Sequence, residues 1–182
     1  MDKEKGMKII AHPGQIILVL ATLVGSAGVV WAVSPHFITA HSTFSSTAGT
    51  LTCSWKESGL GDNASISYEC SADGKATYAC INKGGNHPSA TNKETVAGPV
   101  SASGTFSSGK NGSIIGSLTL LPPGPGAFSC PPGQKLVLGQ VAYCNLALGD
   151  TTTPLDAEVA PTSVSACLST VPGVCESSFP CP

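Results

Sequence analysis

All eight cysteines of this 182-residue chain follow position 52. They are Cys53, Cys70, Cys80, Cys130, Cys144, Cys167, Cys175 and Cys181. In exported proteins, an even number of cysteines is typical of a disulfide framework. Five lie in the body of the chain and three in its C-terminal tail, so both groups are odd. If every cysteine pairs within the chain, at least one bridge must join the tail to the body.

Alternating apolar and polar residues predict that this body consists of β-strands. In LTCSW and SISYEC every second residue is apolar, which is typical of half-buried strands. Folded as a hairpin about GLGDNA, residues 59–64, the two runs would place Cys53 opposite Cys70 and Trp55 opposite Tyr68. A three-residue loop at Asp73-Gly74-Lys75 would then lead into the next strand, TYACI.

Two further segments extend this pattern. A turn at 110–112, Lys-Asn-Gly, predicts a hairpin that sets Phe106 opposite Gly116 and Gly104 opposite Leu118. After a proline-rich connection, KLVLGQVAYCNLAL reads as one long strand. Its predicted inward set is Leu136, Leu138, Ala142, Cys144, Leu146 and Leu148.

About seven strands result when a first strand near residues 36–44 and a weak last one near 157–168 are added. The predicted fold is therefore all-β, an antiparallel two-sheet sandwich of immunoglobulin-like general architecture, stapled by disulfides. The resemblance is architectural only, because the tryptophan of immunoglobulin domains lies well downstream of the first cysteine. We expect the sandwich to span residues 33–150 and a cysteine-containing tail, 151–182, to pack on it.

The N-terminal segment resembles a secretory signal. A segment of small net positive charge precedes an uncharged apolar run from Ile16 to about Ser34. Within this run, Val30 and Ala32 form a small-residue cleavage site. We expect residues 1–32 to form a hydrophobic signal helix that is cleaved after Ala32. The alternative is an uncleaved membrane anchor at residues 16–34, since about 20 apolar residues suffice to cross a bilayer. Both alternatives predict a secreted or otherwise extracellular domain.

The charge pattern excludes some partners. Charged residues make up 11% of the chain, the net charge is −2, and arginine does not occur. Nucleic-acid recognition relies on basic faces rich in arginine, so we expect no nucleic-acid partner. A membrane partner is expected only if the N-terminal segment is uncleaved.

The stretch CINKGGNHPSATNK holds the most promising group of polar side chains. Loops of β-sandwiches bind proteins and sugars through such donors and acceptors. The candidate binding residues are Asn82, Asn86, His87, Asn92 and Lys93. The favoured function is accordingly a secreted, non-enzymatic protein, an envelope or matrix component or an adhesion-like module, that contacts an extracellular protein or glycan through its surface.

The alternative is a small secreted hydrolase with a site in the loops around His87 and Asp62. No G-x-S-x-G motif supports it, and we assign no catalytic residue. The acids available for a carboxylate pair, Glu57, Asp62, Glu69 and Asp73, are expected to be solvated. Because no C-x-x-C spacing occurs, we expect neither a metal site nor a cofactor.

Overall fold

A computed structural model of the protein describes residues 34–86 and 92–182. The predicted signal segment and its cleavage site, and also His87, lie outside the described residues. The described chain forms eight strands and one short 3-10 turn, Gly109–Asn111. The strands are β1 His36–Ser45, β2 Thr50–Ser58, β3 Ser65–Ile81, β4 Lys93–Ser107, β5 Ser113–Leu120, β6 Lys135–Asp150, β7 Leu155–Ala157 and β8 Val164–Cys167. No helix among these residues is long and apolar enough to cross a membrane.

The strands form the two antiparallel sheets that the sequence predicts. One sheet has the order β1-β2-β5, and the other has the order β4-β3-β6-β7, with β8 also paired to β6. Immunoglobulin constant domains place strands one, two, five and four in one sheet and three, six and seven in the other. This sandwich keeps that order except that its fourth strand lies in the second sheet. The strands β7 and β8 lie within the predicted tail, so the second sheet extends past residue 150.

The prediction that β2 and β3 form a hairpin is wrong, because the two strands lie in different sheets. Strand β2 pairs with β1 and β5, whereas β3 pairs with β4 and β6. The predicted neighbours nevertheless meet across the core. Cys53 is bridged to Cys70, and the rings of Trp55 and Tyr68 lie 4.6 Å apart, centroid to centroid. The disulfide therefore ties one sheet to the other.

The predicted hairpin about residues 110–112 is also an arch between the sheets. The turn itself is correct, since Gly112 has a left-handed conformation with φ of 59°. Strand β4 continues the second sheet, however, and β5 continues the first. The predicted neighbours Gly104 and Leu118 meet across the core instead, since a Cβ on Gly104 would lie 3.3 Å from the Leu118 side chain. Gly116 pairs with Trp55 of β2 within its own sheet, and a Cβ there would lie 2.5 Å from the Trp55 ring.

The loop predicted at Asp73-Gly74-Lys75 does not exist, because β3 runs through these residues without a break. Asp73 pairs with Pro99 of β4 and Lys75 with Ala97. Partners on both sides hold the strand extended, which outweighs the local turn preference of Asp-Gly.

The inward set predicted for β6 is correct at the C-terminal end of the strand, at Leu146 and Leu148, and wrong in its middle, whereas Leu136 and Leu138 are only half-buried. The register against β3 shifts twice, between Thr77 and Tyr78 and between Ser71 and Asp73 of β3. Each shift moves the following side chains to the other face of the sheet. Val141 and Tyr143 consequently join the core between the sheets together with Leu146 and Leu148. Ala142 and Cys144 face the opposite side of the sheet.

The tail covers that opposite side, and the bridge between tail and body that the cysteine count predicts is present. Cys144 is bridged to Cys181, which joins the tail to the body, and Cys167 is bridged to Cys175 within the tail. Val174 is fully buried, and a Cβ on Gly139 would lie 2.1 Å from one of its methyl groups. The fourth bridge, Cys80–Cys130, fastens the proline-rich connection to the end of β3. All eight cysteines are thus paired.

Candidate functional site

A shallow surface depression lies where β3 ends and β6 begins. It has a volume of about 520 Å³ and combines the turn that follows β3 with the start of β6. The lining residues are Ile81, Asn82, Lys83, Gly85, Gly133, Gln134 and Lys135. Two lysines and two side-chain amides at an apolar floor can contact a polar or anionic partner.

Asn82 shapes one wall of the depression. Its side-chain oxygen accepts hydrogen bonds from the backbone N–H groups of Gly84 and Asn86, each at 3.0 Å. The Asn82 N–H also donates to the Asn86 carbonyl at 3.0 Å. Asparagine favours such local turns, and Gly85 supplies the required left-handed conformation with φ of 74°. The turn is therefore ordered by its own internal hydrogen bonds before any partner binds.

The remaining predicted binding residues are placed differently. Asn92 donates from Nδ2 to the Gln134 side chain at 3.3 Å, which joins the far end of the loop to the depression wall. Lys93 lies at the start of β4 and forms an ion pair with Glu176 of the tail at 3.5 Å. The Asn92 amide thus borders the depression, whereas the Lys93 ammonium is engaged with the tail.

Asp62 lies at the other end of β3, in the turn that precedes it. The 17 residues of β3 separate that turn from Asn82. At about 3.3 Å per residue, the two ends of the strand are roughly 50 Å apart. Asp62 is exposed, and its neighbour Asn63 donates its N–H to the carbonyl of Gly109. The structure does not bring Asp62 together with the described part of the loop, residues 82–86.

Among the other candidate acids, Glu57 differs most from its expected solvated state. Its side chain is fully buried at the Asp62 end of the core, and Oε2 accepts a hydrogen bond from the Tyr68 hydroxyl at 2.6 Å. Oε1 has no hydrogen-bond partner, and neither has Nε1 of Trp55. Glu69 is exposed, and Asp73 accepts a hydrogen bond from Asn145 at 2.7 Å.

The environment of Glu57 favours its neutral form. Burial raises the pKa of the Glu57 carboxyl above its ordinary value of 4.5, and the nearby negative charge of Asp150 acts in the same direction. The hydrogen bond from Tyr68 and the nearby His36 oppose this shift of the pKa only in part. Burial, the bond to Glu57 and its charge raise the pKa of Tyr68. The pair therefore stays uncharged over a wider pH range than exposed groups would.

The sequence contained a signal for this buried acid. Glu57 is in phase with Leu51, Cys53 and Trp55, all of which point inward along β2. Period-two alternation alone places its side chain between the sheets.

Comparisons with known proteins show no family. No protein-family model matches the chain, and no curated protein is significantly similar to it. Among solved structures, the sporulation control protein Spo0M from Bacillus subtilis matches 75% of this chain and 47% of that chain at 12% identity. The chain thus spans less than half of that protein, and the TM-score is 0.23. A likeness of this size carries no argument about function.

Proposed function

We propose that the protein is a secreted, non-enzymatic extracellular protein that acts by surface contact, as an envelope or matrix component or an adhesion-like module. The observation that carries this proposal is the pairing of all eight cysteines in four disulfides. Such bridges form and persist in oxidising compartments, chiefly outside the cell. The apolar N-terminal run, read as a signal, supplies the route to that compartment.

The depression beside Asn82 is the proposed contact site. Its asparagine turn is ordered in advance, which lowers the entropy that a partner must overcome on binding. Lys83 and Lys135 supply cations, and the amide of Gln134 supplies both a donor and acceptors. These groups suit an extracellular protein or a glycan that presents carboxylates or hydroxyls.

The hydrolase alternative receives less support. The described loop residues and Asp62 lie at opposite ends of β3, so their side chains cannot act on one substrate. Glu57, the acid with a raised pKa, is enclosed between the sheets and does not reach a surface cleft. We expect His87→Ala to leave folding intact and to abolish no hydrolytic activity. Loss of a measurable activity in a folded variant would favour the hydrolase.

The test is capture of extracellular material by the immobilised protein, followed by identification of what is bound. Lys135→Glu should reduce capture at least several-fold, because it reverses a charge at the depression. Lys110→Glu is the matched control, since Lys110 is exposed in the turn after β4, at the other end of the sandwich. Equal capture by both variants would exclude the depression as the contact site.

A further inference from the structure

We propose that the exposed edge of β5 pairs antiparallel with the same strand of a second copy of this chain, which closes a two-fold dimer. The proposal goes beyond the contact role proposed above, since it concerns a different surface from the depression and names a second copy of the chain as the partner there. Strand edges present unpaired N–H and C=O groups, and proteins normally protect such edges against association. The edges of the two sheets differ in how far they are protected against such association.

The first sheet has its other edge at β1, and that edge is partly covered. Ser42 donates its N–H to the carbonyl of Ala160 at 3.0 Å, and its hydroxyl donates to the carbonyl of Pro161 at 3.0 Å. His41 forms an isolated bridge with Ala160. The segment that leads from β7 to β8 therefore occupies the middle of β1.

The edges of the second sheet carry other protective features. Strand β4 contains Pro99, which has no N–H to donate, and it begins with Lys93 and Glu94. At the opposite edge β6 is covered by β7 and β8, which are only three and four residues long. Short strands, prolines and charges are the usual means by which edges avoid pairing.

Strand β5 has none of these features. It is eight residues long, SIIGSLTL, with no charge and no proline, and its register against β2 runs without a shift. Among the described residues, β2 is the only strand that pairs with it. Ile115 is 79% exposed, the most exposed large apolar side chain of the described surface. An edge of this composition is suited to pairing with another strand.

A second copy is the occupant that fits this edge. Antiparallel pairing of a strand with itself is isologous, so the hydrogen-bonding groups of the edge match their own two-fold image. The edge is neutral, and pairing therefore brings no like charges together. It would place Ile115 beside the neutral outward side chains of the other copy, such as Ser117 and Thr119. Because a two-fold contact uses the same edge of both copies and is therefore closed, association should stop at the dimer.

The size of the contact sets its strength. One strand pair of eight residues buries less than the roughly 1,200 Å² of standard stable interfaces. We therefore expect a weak dimer that forms at high concentration and dissociates on dilution. Its affinity should change little with salt, because no charge lies on the edge.

Sedimentation of the disulfide-bonded protein over a 100-fold concentration range tests the proposal. The mass should rise towards twice that of the monomer, and Ile115→Lys should abolish the rise. Ile38→Lys is the matched control, since Ile38 is an exposed isoleucine on β1, at the other edge of the same sheet. Hydrogen exchange of the amides in residues 114–119 should slow as dimer forms.

Three results would overturn the proposal: a monomer at every concentration, an Ile38→Lys variant that dissociates as fully as Ile115→Lys, or open-ended assemblies larger than a dimer. These outcomes are separable from the contact role itself. If the protein stays monomeric yet captures another partner through the depression, only the dimer is wrong.

Discussion

At the residue scale, Glu57 shows how one side chain makes the sandwich sensitive to pH. The folded state binds the Glu57 proton more tightly than the unfolded state does, because burial raises the pKa of this carboxyl. The resulting stability is fully present below the ordinary value of 4.5 and is lost as pH rises through the raised pKa. The free energy of unfolding should therefore fall over that interval.

Glu57→Gln keeps the shape of the side chain and removes its titration. The variant should be less stable than, or equal to, the native protein at pH 4 and should gain stability relative to it as pH rises towards 8. Thermal unfolding measured across this range checks the prediction. Glu69→Gln, an exposed acid on β3, is the control and should follow the native curve. Parallel curves for Glu57→Gln and the native protein would show that Glu57 does not govern the pH response.

At the element scale, each strand that flanks the arch carries a glycine beside a large side chain. Gly104 of β4 lies beside Leu118, and Gly116 of β5 lies beside Trp55. Gly116→Ala would place a Cβ 2.5 Å from the Trp55 ring, within a core where that ring also contacts Tyr68 and Phe106. Overpacking of this kind costs about 1–3 kcal/mol. Gly98→Ala in β4 has nothing within 4 Å of the new Cβ and should change the stability little. Denaturant unfolding of both variants measures the difference, and equal midpoints would contradict the packing described here.

The elements themselves were predictable from the sequence, but their partners were not. Period-two alternation correctly located the strands that carry Cys53, Cys70, Phe106 and Leu118. The same alternation fits a hairpin and an arch equally well, since inward residues become side-by-side neighbours within one sheet in a hairpin and face each other across the core in an arch. The choice depends on which edges the remaining strands satisfy, and these contacts are distant in sequence. The bulges in β6 lie at Gly139 and beside Asn145, whose φ is 52°. A glycine or asparagine inside a strand is a local signal for a bulge, but the shift of Cys144 to the outer face also depends on the pairing with β3.

At the scale of the whole molecule, the tail acts as an outer layer on the second sheet. The Cys144–Cys181 bridge is one of its attachments. In addition, Glu176 forms an ion pair with Lys93, and the Nζ of Lys75 lies 4.5 Å from the centroid of the Phe179 ring. The count of cysteines predicted that the tail is tied down. It could not predict which cysteine of the body holds it, because parity requires only that at least one bridge joins the tail to the body.

Removing this staple should release the tail and lower the stability. The bridge joins residues 37 apart, and closing a loop of that length is worth about 3–4 kcal/mol in the chain-entropy view. The double variant Cys144→Ala, Cys181→Ala should therefore melt at a lower temperature and be cleaved by protease within residues 168–182. The pair Cys167→Ala, Cys175→Ala removes a bridge between residues only eight apart and should cost less. A larger loss from the shorter loop would contradict this account.

The disulfide-stapled sandwich with its fastened tail is tested most directly by peptide mapping under non-reducing conditions. The map should contain one peptide pair linking Cys53 to Cys70 and another linking Cys144 to Cys181. A link between Cys53 and Cys144 would instead join the second and sixth strands, as in antibody domains. That result would place Cys144 between the sheets, leave the tail unfastened, and contradict the structure on which the proposed contact role rests.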